Sequence, residues 1–213
     1  MPKIIVLGGT GYAGAAIVTE AARRGHEVVA VSRSVPEITV DGVTYVQGSV
    51  ADAAFAESVV AGAHTVVSAL SPRGDLDGRI VDVDTKLARL ADEAGARFVV
   101  VGGFGSLRAE EGAARIVESS DFPADYRPES QQMLEVLEVL RGIEGLDWVY
   151  VSPAQEFGSF NPGEDTGSYR VGGEIAFFDA AGRSAISGAD FARGVVDEVE
   201  NPQHHKAHIS LAY

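Results

Sequence analysis

Ile4-Ile5-Val6-Leu7-Gly8-Gly9-Thr10-Gly11-Tyr12-Ala13-Gly14 is the stretch that decides the fold. Its β-branched opening run reads as a buried parallel strand. Glycines then fall at 8, 11 and 14, directly before a helical pattern. A glycine turn lets the backbone approach a bound group closely. The helix behind it turns its unpaired N–H groups toward that group, a geometry that suits a pyrophosphate. Set between strand and helix, the spacing reads as a dinucleotide signal.

Working outward, Tyr12–Arg24 carries Ala15, Ile17, Val18, Ala21 and Ala22 as an apolar stripe, and Gly25 stops it. Glu27–Ser32 then reads as a second strand, completing a βαβ unit. That strand ends at Val31-Ser32-Arg33-Ser34. In a dinucleotide fold an acidic residue here binds the 2′-hydroxyl of NAD, whereas an arginine accommodates the 2′-phosphate of NADP. Arg33 favours NADPH, with NADH as the second choice.

The pattern continues with a short strand near Thr44–Gln47, the turn Gly48-Ser49-Val50, and a helix over Asp52–Val60. Ser49 lies where such a fold closes over the adenine. His64–Leu70 reads as the fourth strand, and its end, Ala69-Leu70, is assigned to the cofactor side. His64 gets no chemical role. Arg73, in the following loop, is a candidate for the pyrophosphate or substrate. A helix over Asp82–Ala94 delivers a fifth strand, Phe98–Val101, which opens into Gly102-Gly103-Phe104-Gly105-Ser106. Three glycines in four residues mark a close backbone approach or special dihedrals. At a strand's carboxyl end this is site geometry, so Phe104 and Ser106 become catalytic candidates.

Arg127–Leu140 reads as a helix and Trp148–Val151 as a sixth strand, ending at Ser152-Pro153-Ala154-Gln155-Glu156-Phe157. Gln155 is the third catalytic candidate. Residues 158–186 are expected to form a small lobe over the cleft, since Gly158–Gly173 alone contains five glycines. Within the lobe, Glu174–Phe178 and Arg183–Ile186 flank a turn and suggest a hairpin. Ser187-Gly188-Ala189-Asp190 reads as a capping box opening a last helix to Glu200. His208–Leu211 reads as a short seventh strand. The expected fold is a single α/β domain over 1–213, Rossmann-type and doubly wound, with a mainly parallel sheet in the order 3-2-1-4-5-6.

The 213 residues contain no cysteine, which excludes disulfides, a thiol nucleophile and thiolate-held metal, and fits a reducing cytoplasm. No apolar run reaches membrane-spanning length, and no basic-then-apolar leader opens the chain. The net charge of −14 argues against nucleic acid and anionic membrane as partners. A small-molecule hydride acceptor is the expected partner, with the chain a monomer or a homodimer. The net charge also means that an anionic dinucleotide needs local basic groups and oriented N–H donors.

Other constellations fail. The Tyr-x-x-x-Lys pair that protonates carbonyls is missing. The three lysines are Lys3, Lys86 and Lys206, and Ser130 stands four residues after Tyr126. His204-His205-x-x-His208 lacks helical metal-site spacing and reads as a solvated turn, so no metal is assigned. No Gly-x-Ser-x-Gly elbow exists. Asp197, Glu198 and Glu200 read as a solvated helix face.

Together, Gly8–Gly14, Ser32-Arg33-Ser34, Val101–Ser106, Leu146-Asp147-Trp148, Ser152-Pro153, Thr166–Tyr169 and Ile186–Phe191 resemble the atypical short-chain dehydrogenase/reductase family. The likeness is to its NAD(P)H-binding branch of NADH-flavin reductases and biliverdin reductase B-like proteins, and it covers nearly the whole chain. The resemblance implies that Gly8, Thr10, Gly11, Tyr12 and Gly14 meet the pyrophosphate and Arg33 the 2′-phosphate. It implies that Gly102, Gly103 and Phe104 border the nicotinamide ribose, and that Pro153 to Phe157 wall the nicotinamide and substrate. The histidine that follows the corresponding proline in biliverdin reductase B is absent here, so bilin reduction is not implied.

Three functional readings follow. The first is hydride transfer from NADPH to a flavin or quinone-like acceptor without a protein acid pair, the cofactor carrying the chemistry. The second is a non-catalytic NADP(H) sensor of the NmrA kind. The third is an epimerase or dehydratase, which normally needs the missing tyrosine base and which fold alone does not exclude.

Overall fold

The computed structural model describes residues 2–213. Strand β1 (Lys3–Leu7) runs into α1 (Tyr12–Arg23), then β2 (Glu27–Ser32), β3 (Val43–Gln47), α2 (Ala53–Val60) and β4 (Thr65–Ser68). Then come α3 (Ile80–Glu93), β5 (Arg97–Val101), α4 (Arg127–Arg141), β6 (Trp148–Pro153), β7 (Arg170–Gly172), α5 (Gly188–Glu200) and β8 (Ala207–Ala212). One sheet results, in the order β3-β2-β1-β4-β5-β6-β8-β7. It is parallel throughout except at β7, which pairs antiparallel with β8. The order reverses beside β1, and such a reversal opens a crevice at the carboxyl ends of the strands.

The period of two along each strand divides the core into two layers. From β1, Ile5 and Leu7 pack with α2, α3 and α4 through Val60, Leu87 and Leu137. Ile4 and Val6 pack with α1 and α5 through Ile17, Val18, Phe191 and Val195. All of these side chains are buried. Because both sheet faces are covered, the central strands carry near-continuous apolar runs.

Local chemistry sets the ends of the elements. Asp52 caps α2, its Oδ1 accepting from the Phe55 N–H at 2.9 Å, so the helix begins one residue later than the sequence pattern suggests. Ser187 caps α5 by accepting from Asp190 N–H at 3.1 Å. The reciprocal half of the box does not form. Asp190 instead takes hydrogen bonds from the Thr166 and Gly167 N–H groups and from the Ser187, Thr166 and Tyr213 hydroxyls. Those bonds fasten the 158–168 segment to α5.

Two expectations are corrected. Glu174–Phe178 and Arg183–Ile186 do not form a hairpin. The turn is present, with Asp179 N–H bonded to the Arg183 carbonyl at 2.8 Å. Its flanks instead bridge to Arg108 and Glu156, and the strand of this region is β7, earlier in the chain. Those backbone groups found partners across the fold, which no local pattern announces. The acidic face of α5 is not solvated either. Glu198 is buried and pairs with Arg97 at 2.8 Å, Asp197 pairs with Arg24 at 2.6 Å, and Glu200 bonds Arg24 and His26.

Candidate functional site

The glycine turn forms in the way its spacing requires. Gly8 has φ of +77°, and a Cβ there would sit 2.5 Å from the Ala69 carbonyl oxygen. A Cβ on Gly14 would overlap the Gly8 carbonyl oxygen, so the glycine is what lets α1 sit down on the turn. Gly11 is different. Its Cβ would meet only the Gly8 oxygen at 3.4 Å, so the protein's own packing leaves room beside it. Gly11 is the N-cap of α1 and offers no capping side chain, and no acid lies in the helix's first turn. The N–H groups of Tyr12, Ala13 and Gly14 therefore lack both an intrahelical acceptor and a local counter-charge, the arrangement that receives an anion.

A cleft of about 220 Å³ opens at this turn. Its walls bring together Gly8, Thr10, Gly11, Arg33, Ser49, Ala69 and Leu70, seven of the residues assigned from sequence to the cofactor. They come from the ends of β1, β2, β3 and β4, four segments far apart in the chain. Arg33 does not stand free in the cleft. Its guanidinium pairs with Asp75, and the other Asp75 oxygen accepts from the Ser49 hydroxyl at 3.1 Å. Arg73, on the same rim, is held by Glu129 through two hydrogen bonds of 2.7 and 2.9 Å. The cleft thus holds two guanidiniums, each already matched by a carboxylate.

Tyr12 serves a purpose the sequence did not disclose. Its hydroxyl donates to the Pro162 carbonyl at 3.1 Å and accepts from Gly188 N–H at 3.0 Å. Its ring meets Phe157 edge-on at 5.1 Å, and Phe157 packs on Phe191 in turn. The tyrosine side chain therefore ties the glycine turn to the 158–168 segment and to α5. Its backbone N–H remains at the helix start, available to a phosphate.

At the end of β5 the glycines divide their labour. A Cβ on Gly102 would overlap the Tyr150 ring, so this glycine exists for packing. Gly103 has no atom within 4 Å of its missing Cβ, which leaves its face open. Beneath them lies a buried polar network. The Tyr150 hydroxyl donates to the Met133 carbonyl at 2.9 Å and lies 3.1 Å from Ser106 Oγ. Ser152 Oγ donates to the Gly103 carbonyl at 2.9 Å and lies 2.8 Å from His208 Nε2. Ser152 has one hydroxyl proton, so His208 must be the donor in that pair, and its Nδ1 keeps a lone pair with no partner. Burial pushes the His208 imidazole down to about 3. Burial likewise pushes the phenol of Tyr150 well above its ordinary range.

Of the three catalytic candidates, Ser106 is turned inward and fully covered, with Tyr150 as its partner. Gln155 is exposed, beside β6. Phe104 is half-buried and meets Phe178 edge-on at 6.2 Å. Pro153 is buried in β6, next to Ser152. Phe178, on the far side of the 158–186 segment, carried no sequence signal. It reaches this position because the 174–176 backbone bonds to Arg108, just beyond the Phe104 turn. Tyr126 is 60% exposed, and Ser130, four residues later, packs against Gly105.

The three C-terminal histidines point to three different partners. His204 bonds Glu198 at 2.8 Å and His205 bonds Asp147 at 2.9 Å, while His208 lies inside. The expected solvated turn is thus a paired one. Asp84 is another buried acid. Its Oδ1 accepts from the Ser68 hydroxyl at 2.7 Å, its Oδ2 has no partner, and burial pushes the carboxyl up to about 7. Among the described residues, no helix is long and apolar enough to cross a membrane.

Comparison with known proteins agrees with this geometry. A family model described as NAD(P)H-binding matches residues 8–202. YwnB of Bacillus subtilis (strain 168) is 33% identical over 205 residues, covering 95% of this chain and 94% of that protein. An inferred NADH-flavin reductase from Streptococcus pneumoniae TIGR4 superposes with a TM-score of 0.85 at 34% identity, covering 100% of this chain and 99% of that one. An inferred epimerase from Bacteroides thetaiotaomicron superposes with a TM-score of 0.89 at 32% identity, covering 100% and 97%. The glycine turn, the crevice beside β1 and the matched span lead to one assignment: the chain belongs to the NAD(P)H-binding family, on a Rossmann-type α/β fold.

Proposed function

We propose that the protein is an NADPH-dependent oxidoreductase that passes hydride to a planar, electron-poor ring, a flavin or a quinone-like acceptor, in a cysteine-free protein suited to a reducing cytoplasm. The observation that carries this reading is the Phe104–Phe178 pair beside the open face of Gly103. Phe178 is 42% exposed, so the pair offers an apolar platform rather than a sealed core. Aromatic edges and faces of this kind hold a flat ring by dispersion and quadrupole contacts.

A bound dihydronicotinamide supplies the hydride, and the proton that completes the acceptor comes from solvent. The protein's part is to bind and orient. The first-turn N–H groups of α1 and the gap beside Gly11 receive the pyrophosphate. Arg33, paired with Asp75, lines the adenosine end. Gly103, whose carbonyl Ser152 fixes, leaves space for the nicotinamide ribose. Hydride transfer to a flavin needs no carbonyl-protonating acid, which accords with Ser106 and Tyr150 being locked to each other in the interior.

The test mixes the protein with NADPH and riboflavin, FMN or a benzoquinone and follows the nicotinamide absorbance band. Consumption well above the protein-free background supports the reading. Tight NADPH binding with no turnover on any acceptor would replace it with the sensor reading. The name of the Bacteroides relative raises epimerisation, and turnover of a sugar nucleotide without net NADPH consumption would favour that instead.

A further inference from the structure

We propose that Asp75 is the residue that sets the nucleotide preference of this site, by competing with the 2′-phosphate of NADPH for both Arg33 and Ser49. The inference rests on the reading of the cleft beside β1 as the dinucleotide site.

The ends of β2 and β3 line the adenosine half of the cleft with Ser32 and Ser34 and with two side chains that Asp75 reaches, Arg33 and Ser49. Asp75 occupies both at once: one oxygen pairs with the guanidinium and the other accepts the Ser49 hydroxyl. The backbone of the same loop passes close by, because Arg33 Nη1 lies 3.1 Å from where a Cβ on Gly74 would stand, and Gly74 has φ of +64°. The loop between β4 and α3 thus lays a glycine backbone and a carboxylate against the arginine's head.

The consequence is electrostatic. A 2′-phosphate carries close to two negative charges and needs donors. Here one edge of the guanidinium and the Ser49 hydroxyl are already bonded to a carboxylate, and that carboxylate repels it. Its entry sets it in competition with Asp75 for those donors. NADH makes no such demand, since a 2′-hydroxyl can donate to a carboxylate as it does in NAD-specific sites. A site that shows an arginine in its sequence therefore discriminates less for NADPH than the arginine alone would. The pair is partly exposed, Arg33 by 63% and Asp75 by 37%, so the penalty is one of a screened charge and grows at low salt.

The experiment measures dissociation constants of NADPH and NADH, and of adenosine 2′,5′-bisphosphate and adenosine 5′-monophosphate, by titration calorimetry at low and moderate salt. It uses the wild type, Asp75→Asn, Arg33→Ala and the double variant. Asp75→Asn keeps the side chain's shape, and thermal melts check that the fold is retained. The expected result is an NADPH affinity about tenfold tighter in Asp75→Asn, with NADH unchanged or weaker. That gain shrinks in the Arg33→Ala background and at higher salt. An NADPH:NADH ratio that Asp75→Asn leaves unchanged, with both nucleotides binding, overturns the inference while the site reading stands. Failure of all four ligands to bind the wild type overturns both. Because the readout is binding, absence of flavin turnover bears on neither.

Discussion

The ring of Tyr150 fills the space that a Cβ on Gly102 would need. The neighbouring Gly103 has nothing within 4 Å of the same position. Two adjacent glycines therefore serve different ends, and substitution separates them. Gly102→Ala must push Tyr150 off its bonds to Met133 and Ser106, at a cost of about 3 kcal/mol. A fall in Tm of roughly 6–12 °C is expected for a chain of this size. Gly103→Ala should keep Tm within about 2 °C of wild type yet weaken NADPH about tenfold. Thermal melts beside binding titrations check both. Equal Tm losses would show that Gly103 is a packing residue too.

Tyr12 bonds Pro162 and Gly188 through a single hydroxyl. Tyr12→Phe removes both bonds and keeps the ring contact with Phe157, for a loss of about 1–2 kcal/mol. Limited proteolysis should cut the 158–168 segment faster in the variant. The dissociation constant of NADPH should move less than about threefold, since the backbone N–H at position 12 is untouched. A tenfold loss of binding would place the hydroxyl on the cofactor instead.

Asp84 and His208 pull stability in opposite directions as pH changes. Burial raises Asp84 to about 7, so its contribution is complete below the ordinary carboxylate range and is lost as pH rises through about 7. Burial lowers His208 to about 3, so its contribution is complete above the ordinary imidazole range and is lost as pH falls from there toward about 3. Asp84→Asn keeps an acceptor for Ser68 and removes the alkaline loss. Its Tm relative to wild type should improve from pH 5 to pH 8, by about 5 °C or more. Melts at three pH values test this, and a constant difference would mean that Asp84 does not titrate in the window.

On the proposed reading, Phe178 serves the acceptor and not the nucleotide. Phe178→Ala should raise KM for a flavin or quinone up to about tenfold, the scale of one aromatic contact, and leave NADPH affinity unchanged. Steady-state kinetics at saturating NADPH would show it. A lowered kcat with KM intact would mean that the platform orients the ring rather than holding it.

The sequence by itself determined the framework. The βαβ opening and the glycine turn follow from short-range periods and from backbone sterics, which are written residue by residue, and the strand order 3-2-1-4-5-6 comes with the fold class that this turn signals. Even the open sides of Gly11 and Gly103 belong to positions that their spacing marked. What the tertiary structure alone decided were the partners. Arg33 reads as free positive charge until the loop after β4 brings Asp75 to it from 42 residues away. Tyr12 reads as a phosphate contact until Pro162 and Gly188 arrive 150 and 176 residues later. Glu198 and His208 look solvated in sequence and are buried in the fold. Charge pairing and burial depend on which distant segments meet, and a linear pattern carries no record of that. In this protein the glycine turn announced that a dinucleotide is held, while folding brought an acid to the arginine that would choose which one.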